Sequence, residues 1–131
     1  MKKIEVVAAI LCYENEILCV QRPESKLSYI SKKFEFPGGK IEMGESHQDA
    51  LERELKEELK ITPKIKEQFL TVVHPYPDFE LTMHSFICDA ESKDITLCEH
   101  ISAKWLKCEE LDQLDWAAAD IPIMKKLVNN G

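Results

Sequence analysis

The sequence predicts one α/β domain in which a mixed β-sheet is covered by helices. Three observations carry that prediction. Segments rich in Val and Ile are interspersed with two stretches of helical periodicity, turn residues separate them, and 131 residues suit one hydrophobic core. With 44% hydrophobic and 31% charged residues but only 4 Gly and 6 Pro, the composition excludes disordered, collagen-like and coiled-coil chains. No repeat, low-complexity tract or linker interrupts the chain, so residues 1–131 are read as a single domain.

Ile4 to Tyr13 and Ile17 to Val20 read as two strands joined across the polar break Glu14-Asn15-Glu16. Gln21 to Lys33 is polar, contains Pro23 and is read as a loop. Phe34-Glu35-Phe36 alternates, and pairing is expected to give way to an irregular turn at Pro37-Gly38-Gly39. Ser46 opens the clearest helix: its hydroxyl can cap, Asp49 stands three residues on, and Leu51, Leu55 and Leu59 recur every four to about Lys60, before Pro63. Ile65 to Val73, Phe79 to Cys88 and Ile101 to Leu106 carry β-branched and aromatic residues between polar clusters and read as strands. Glu109 to Leu114 suits a short helical turn. Ala117 to Val128 suits a closing helix, with Pro122 in its first turn and Ile121, Met124, Leu127 and Val128 on one face.

Seventeen Lys and Arg stand against 24 Asp and Glu, a net charge of −7. That balance argues against polymeric nucleic acid as a partner, because such binding needs a clustered basic surface. A phosphate-bearing ligand would need local help, most simply from a metal. Five widely spaced cysteines form no CxxC pair and suggest neither a disulfide framework nor a zinc site, so a reducing, cytoplasmic setting is expected. Glu5 interrupts the first apolar run, which reads as a strand rather than a signal peptide, and no run approaches the roughly 20 residues that span a bilayer. The sequence is compatible with a homodimer and does not choose an oligomeric state.

On a helical wheel Glu54, Glu57 and Glu58 fall within about one third of the circumference, beside the leucine stripe. Like charges at these spacings cost roughly 0.2–0.5 kcal/mol each in an isolated helix. One reading is a solvated face on which Arg53, Lys56 and Lys60 pair with Glu52, Glu57 and Glu58. The other is a divalent cation that turns repulsion into coordination; oxygen donors without nearby His or Cys favour Mg²⁺, with Mn²⁺ second. The wider spacing bears on the choice. Gly39, Glu45, Arg53-Glu54-Leu55, Glu57-Glu58 and Ile61 would fall into this pattern by chance in roughly one such chain in a million at background usage.

GKIEMGESHQDALERELKEELKI, from Gly39 to Ile61, resembles the Nudix box, G-x5-E-x7-R-E-U-x-E-E-x-G-U with U aliphatic. Lys60 stands where the pattern has its last glycine; in a left-handed helix end it should cost about 1 kcal/mol or force another ending. Weaker likeness to the MutT-type and CTP pyrophosphohydrolase branch extends over most of the chain, through Glu35-Phe36-Pro37-Gly38-Gly39-Lys40-Ile41-Glu42 and Ala119-Asp120-Ile121-Pro122. The resemblance implies an α/β/α sandwich and a Mg²⁺-dependent hydrolase that cleaves a nucleoside triphosphate to the monophosphate and diphosphate. Oxidised or surplus nucleotides, such as 8-oxo-dGTP, CTP or dCTP, are the leading substrates.

By matching positions, the resemblance makes Glu57 and Glu58 the principal metal ligands, joined by the Gly38 carbonyl, Glu54 and the loop carboxylate Glu99. Glu54 is the expected base, Glu45 its rival, and Arg53 orients Glu54. Arg22, Phe36, Gly39 and Asp120 are the expected substrate contacts, Arg22 at phosphate and Asp120 at the edge of the base. Phe36, Phe79 and Trp116 are candidates for stacking on a base. His47, His74, His84 and His100 share no ligand spacing and are expected at surface or satisfied strand positions. Two alternatives stand beside this reading: hydrolysis of another nucleoside diphosphate derivative, such as ADP-ribose or a dinucleoside polyphosphate, and a nucleotide-binding module without catalysis. Pro75-Tyr76-Pro77 lies near the marker positions of those other branches but matches neither offset.

Overall fold

The computed structural model describes residues 2–130. Strand β1, Lys2–Tyr13, turns back into β2, Glu16–Gln21. Glu14 and Asn15 between them both adopt left-handed conformations, with φ of 46° and 69°, as the primed two-residue hairpin turn requires. After the loop come β3, Phe34–Glu35, and β4, Gly38–Lys40. The irregular turn expected at Pro37-Gly38-Gly39 is therefore corrected: Gly38 to Lys40 pair antiparallel with Val6 to Ala8 of β1. The pairing needs glycine there, because a Cβ on Gly38 would lie 1.9 Å from the Val7 carbonyl oxygen.

Helix α1, His47–Leu59, is capped by Ser46, whose hydroxyl accepts the Asp49 N–H. Lys60 ends it in the left-handed conformation itself (φ 59°, ψ 37°), its N–H donating to the Lys56 carbonyl. Strands β5, Lys64–Pro75, and β6, Phe79–Asp89, form a long hairpin, and β7, Ser102–Leu106, returns to pair with β2. A 3-10 turn at Cys108–Gln113 precedes helix α2, Ile121–Asn130. The closing helix starts later than the sequence predicts, since Ala118–Asp120 is a 3-10 turn. Its backbone is committed elsewhere: the Ala119 N–H donates to the Tyr76 hydroxyl.

The sheet runs β3-β2-β1-β6-β5, with β4 added on β1 and β7 on β2. The β1 and β6 pair is parallel and the rest antiparallel, so the sheet is mixed as expected. Because side chains alternate along a strand, β1 serves two cores. Val7, Ala9 and Leu11 pack under Leu51, Leu55 and Leu59 of α1, while Ala8 and Ile10 face Ile123, Met124 and Leu127 of α2. The result is the α/β/α sandwich that the resemblance implies. Among the described residues no helix is long and apolar enough to cross a membrane.

Candidate active site

The leucine stripe that docks α1 on the sheet sets the aspect of its carboxylates. Glu58 lies next to Leu59 and is drawn down with it until its side chain is 2% exposed, whereas Glu54 keeps 15% and Glu57 56%. Burial and the neighbouring charges of Glu54, Glu99 and Glu35 push the Glu58 carboxyl up to about 10. Gly39 of β4 lets Glu54 come close: a Cβ there would stand 2.4 Å from Glu54 Oε2.

Arg53 is the counterweight within the helix. Its guanidinium donates to Glu45 Oε2 at 2.6 Å and Oε1 at 3.0 Å, to Glu54 Oε1 at 3.0 Å, to Glu57 Oε2 at 3.3 Å and to the Lys40 carbonyl at 3.0 Å. Glu45 also accepts the Glu42 N–H, and these bonds hold its carboxyl below the usual range. Glu45 is thus a brace between the preceding loop and α1, with donors on both of its oxygens.

A cavity of about 240 Å³ opens beside the carboxylates, walled by Val6, Arg22, Phe36, Tyr76, Phe79 and Asp120 among others. Asp120 is buried, and its Oδ1 accepts the Phe36 N–H at 3.0 Å. Desolvation raises its carboxyl well above the ordinary value. Phe36 is stacked on Trp116 at 4.6 Å between ring centres; Trp116 itself is buried in the core with its indole N–H given to the Leu111 carbonyl. Tyr76 is spent on structure, since its hydroxyl accepts the Ala119 N–H and thereby holds the turn that carries Asp120.

Arg22, Phe36, Gly38, Gly39 and Asp120 therefore share the cavity, and Arg53, Glu54, Glu57 and Glu58 stand together on the adjoining helix, with Glu45 joined to them from the preceding loop. Glu99 is exposed on the loop before β7, with its charge close enough to raise Glu58. The expectation for the histidines needs one correction. The His100 side chain is 4% exposed, with Nε2 2.9 Å from Glu35 Oε2 and 3.8 Å from Glu58 Oε1. Glu35 in turn accepts from Arg22 Nη1 at 3.2 Å. Sequence spacing missed both Glu35 and His100 because neither is near α1 in the chain. The one available signal was their adjacency to singled-out residues, Phe36 and Glu99.

His47 and His84 lie in a cluster with Glu5, but two of its three members are already engaged. Gln68 donates to Thr71, Thr71 meets His84 Nδ1 at 3.0 Å, and His84 Nε2 meets Glu5 at 2.6 Å. His47 stacks its ring face on His84, so a metal lying in one ring plane would fall outside the other.

The donor set on α1 fits a hard divalent cation. Its atoms are oxygens, its like charges are crowded, and Glu58 Oε2 is buried without a hydrogen-bond partner. An unpaired buried carboxylate oxygen costs about 1–3 kcal/mol or more if nothing compensates it, and a cation would.

Comparison with known proteins gives a consistent picture. The family model of the NUDIX domain matches residues 2–127. The chain is 32% identical over 127 residues to an 8-oxo-dGTP diphosphatase of Escherichia coli (strain K12), covering 97% of this chain and 98% of that protein. It is 36% identical over 125 residues to a CTP pyrophosphohydrolase of the same organism, covering 95% and 91%. Among solved structures it superposes on the E. coli ORF135 protein with a TM-score of 0.82 at 34% identity, covering 98% and 91% of the two chains. For the MutT protein (family Nudix hydrolase) of methicillin-resistant Staphylococcus aureus 252, the TM-score is 0.77 at 40% identity, with 100% of each chain covered.

Proposed function

The chain belongs to the NUDIX domain family, and from that premise we propose that it is a Mg²⁺-dependent nucleoside triphosphate pyrophosphohydrolase. It is a hydrolase of phosphoric anhydrides; the substrate class and the metal are our reading. The observation that carries it is the buried, unpaired Glu58 Oε2 within a carboxylate cluster that adjoins an apolar cavity. The names of the relatives, 8-oxo-dGTP diphosphatase and CTP pyrophosphohydrolase, support a purine or cytosine triphosphate as substrate.

Glu57, Glu58, the Gly38 carbonyl and Glu99 would hold the cation, with Glu54 beside it. When bound, a divalent cation neutralises the non-bridging phosphate oxygens and makes a nearby water more acidic. The chain's own residues do the rest. Phe36, Phe79 and the walls of the cavity enclose the base, and Asp120 meets its edge. Arg22, whose Nε is buried without a partner, offers a charged donor to phosphate. Arg53 holds Glu54 through Oε1, leaving Oε2 to take a proton from the attacking water. Attack at a phosphorus of the α–β anhydride breaks that P–O bond and yields the nucleoside monophosphate and pyrophosphate. We assign the base to Glu54 over Glu45 because Arg53 and the Glu42 N–H already occupy both Glu45 oxygens.

Glu54→Gln tests this reading. It should lower kcat by about 10²–10⁴ while the protein melts within a few degrees of the wild type. Wild-type turnover in Glu54→Gln together with a collapse in Glu45→Gln would move the base to Glu45, and wild-type turnover in both would refute carboxylate catalysis at this helix.

A further inference from the structure

Three buried side-chain polar atoms lack a hydrogen-bond partner among the described residues: Arg22 Nε, Glu58 Oε2 and His100 Nδ1. All three belong to one chain of contacts. Arg22 Nη1 donates to Glu35 Oε1 at 3.2 Å, His100 Nε2 lies 2.9 Å from Glu35 Oε2, and the same nitrogen is 3.8 Å from Glu58 Oε1. The chain thus carries an unsatisfied donor at the arginine end and an unsatisfied acceptor at the carboxylate end. A phosphate bound with its cation complements both ends.

His100 is the link between them, and the fold invests in placing it. The loop that bears it is tied to the end of α1 by the Thr96 N–H on the Leu59 carbonyl and the Cys98 N–H on the Glu58 carbonyl, and to β2 by the Ile101 N–H on the Gln21 carbonyl. Because Glu35 is a carboxylate, Nε2 must carry the hydrogen of that contact. The ring is buried with Nδ1 unpaired, so an apolar ring would fill the same space and remove that orphaned nitrogen, and would forfeit only the donor to Glu35 Oε2. Packing does not call for histidine here.

Building on the metal assignment above, we propose that His100 is a positioning residue. It fixes Glu35 against Arg22 and flanks Glu58 at Oε1, so that Glu58 Oε2 is left to the cation. The role is indirect: His100 touches neither substrate nor reacting atoms, and acts by holding the carboxylates in the geometry that the cation finds. Residues that orient metal ligands from behind typically change metal affinity or activity by about 10–100-fold when lost.

The test compares His100→Phe, which keeps a ring and removes the donor, with His100→Gln, whose amide can donate to Glu35. Mn²⁺ binding to the nucleotide-free protein is measured by calorimetry, alongside melting temperature, kcat and KM. His100→Phe should weaken Mn²⁺ by about tenfold at an unchanged melting temperature, and His100→Gln should recover to within about threefold of the wild type. Should the Phe variant not fold, His100→Asn, too short to bridge, replaces it in the same comparison. Wild-type Mn²⁺ affinity and turnover in the donor-free variant would overturn the proposal. Failure of the wild type itself to bind Mn²⁺ would instead overturn the metal assignment on which it rests.

Discussion

Replacing Glu58 by glutamine should make the protein more stable without its cation and useless with it. In the folded chain the Glu58 carboxyl is pushed up to about 10 from 4.5 by burial and by the charges of Glu54, Glu99 and Glu35. The folded state therefore keeps a proton that the unfolded chain releases above about pH 4.5. Its contribution is favourable at low pH and is lost as pH rises toward the folded value, at no more than about 1.4 kcal/mol per pH unit. Between pH 5.5 and 7.5 the wild type should thus lose up to about 3 kcal/mol that Glu58→Gln keeps. For a chain of this size that is on the order of 5–10 °C in melting temperature.

Thermal melts in EDTA at the two pH values read this directly, with the variant pulling ahead only at the higher one. Saturating Mg²⁺ should reverse the order. A ligand at one hundred times its Kd stabilises the wild type by about 2.7 kcal/mol, and a glutamine at position 58 withholds the anionic oxygen. A variant that melts below the wild type at both pH values, or Mg²⁺ that stabilises the two proteins equally, would refute the argument that Glu58 is strained for a cation.

Two further perturbations probe the helix that carries the site. Lys60→Gly removes a side chain from a left-handed helix end (φ 59°) and should raise stability by about 1 kcal/mol in a denaturant melt with turnover unchanged; a loss of stability would contradict the strain assigned to Lys60. Arg53→Lys cannot reproduce a fork that holds both Glu45 oxygens and Glu54 at once. It should lower kcat/KM by about 10–100-fold, and near-normal kinetics would show that the fork does not organise the carboxylates.

What the sequence made legible was local or periodic. The helix over Glu54 to Glu58 was readable because a stripe every four residues and a serine cap are properties of a short segment, and Ser46 and Lys60 lie at its ends as expected. The first strand was readable from the Val- and Ile-rich run Ile4 to Tyr13, which lies within β1. What escaped depended on partners distant in the chain. Gly38 to Lys40 is a strand only because β1 is beside it. The late start of α2 comes from the Tyr76 hydroxyl 43 residues away. His100 and Glu35 meet across 65 positions, and beyond their adjacency to Glu99 and Phe36 nothing in the sequence pairs them.

The measurement that tests the account most directly is product release from a panel of nucleotides: 8-oxo-dGTP, dGTP, CTP and dCTP assayed for pyrophosphate, and ADP-ribose assayed for AMP, each with Mg²⁺ and with EDTA. Mg²⁺-dependent pyrophosphate, with no orthophosphate, is expected from at least one oxidised-purine or cytosine triphosphate. Pyrophosphate release that survives EDTA, turnover of ADP-ribose alone, or tight nucleotide binding with no product would contradict it.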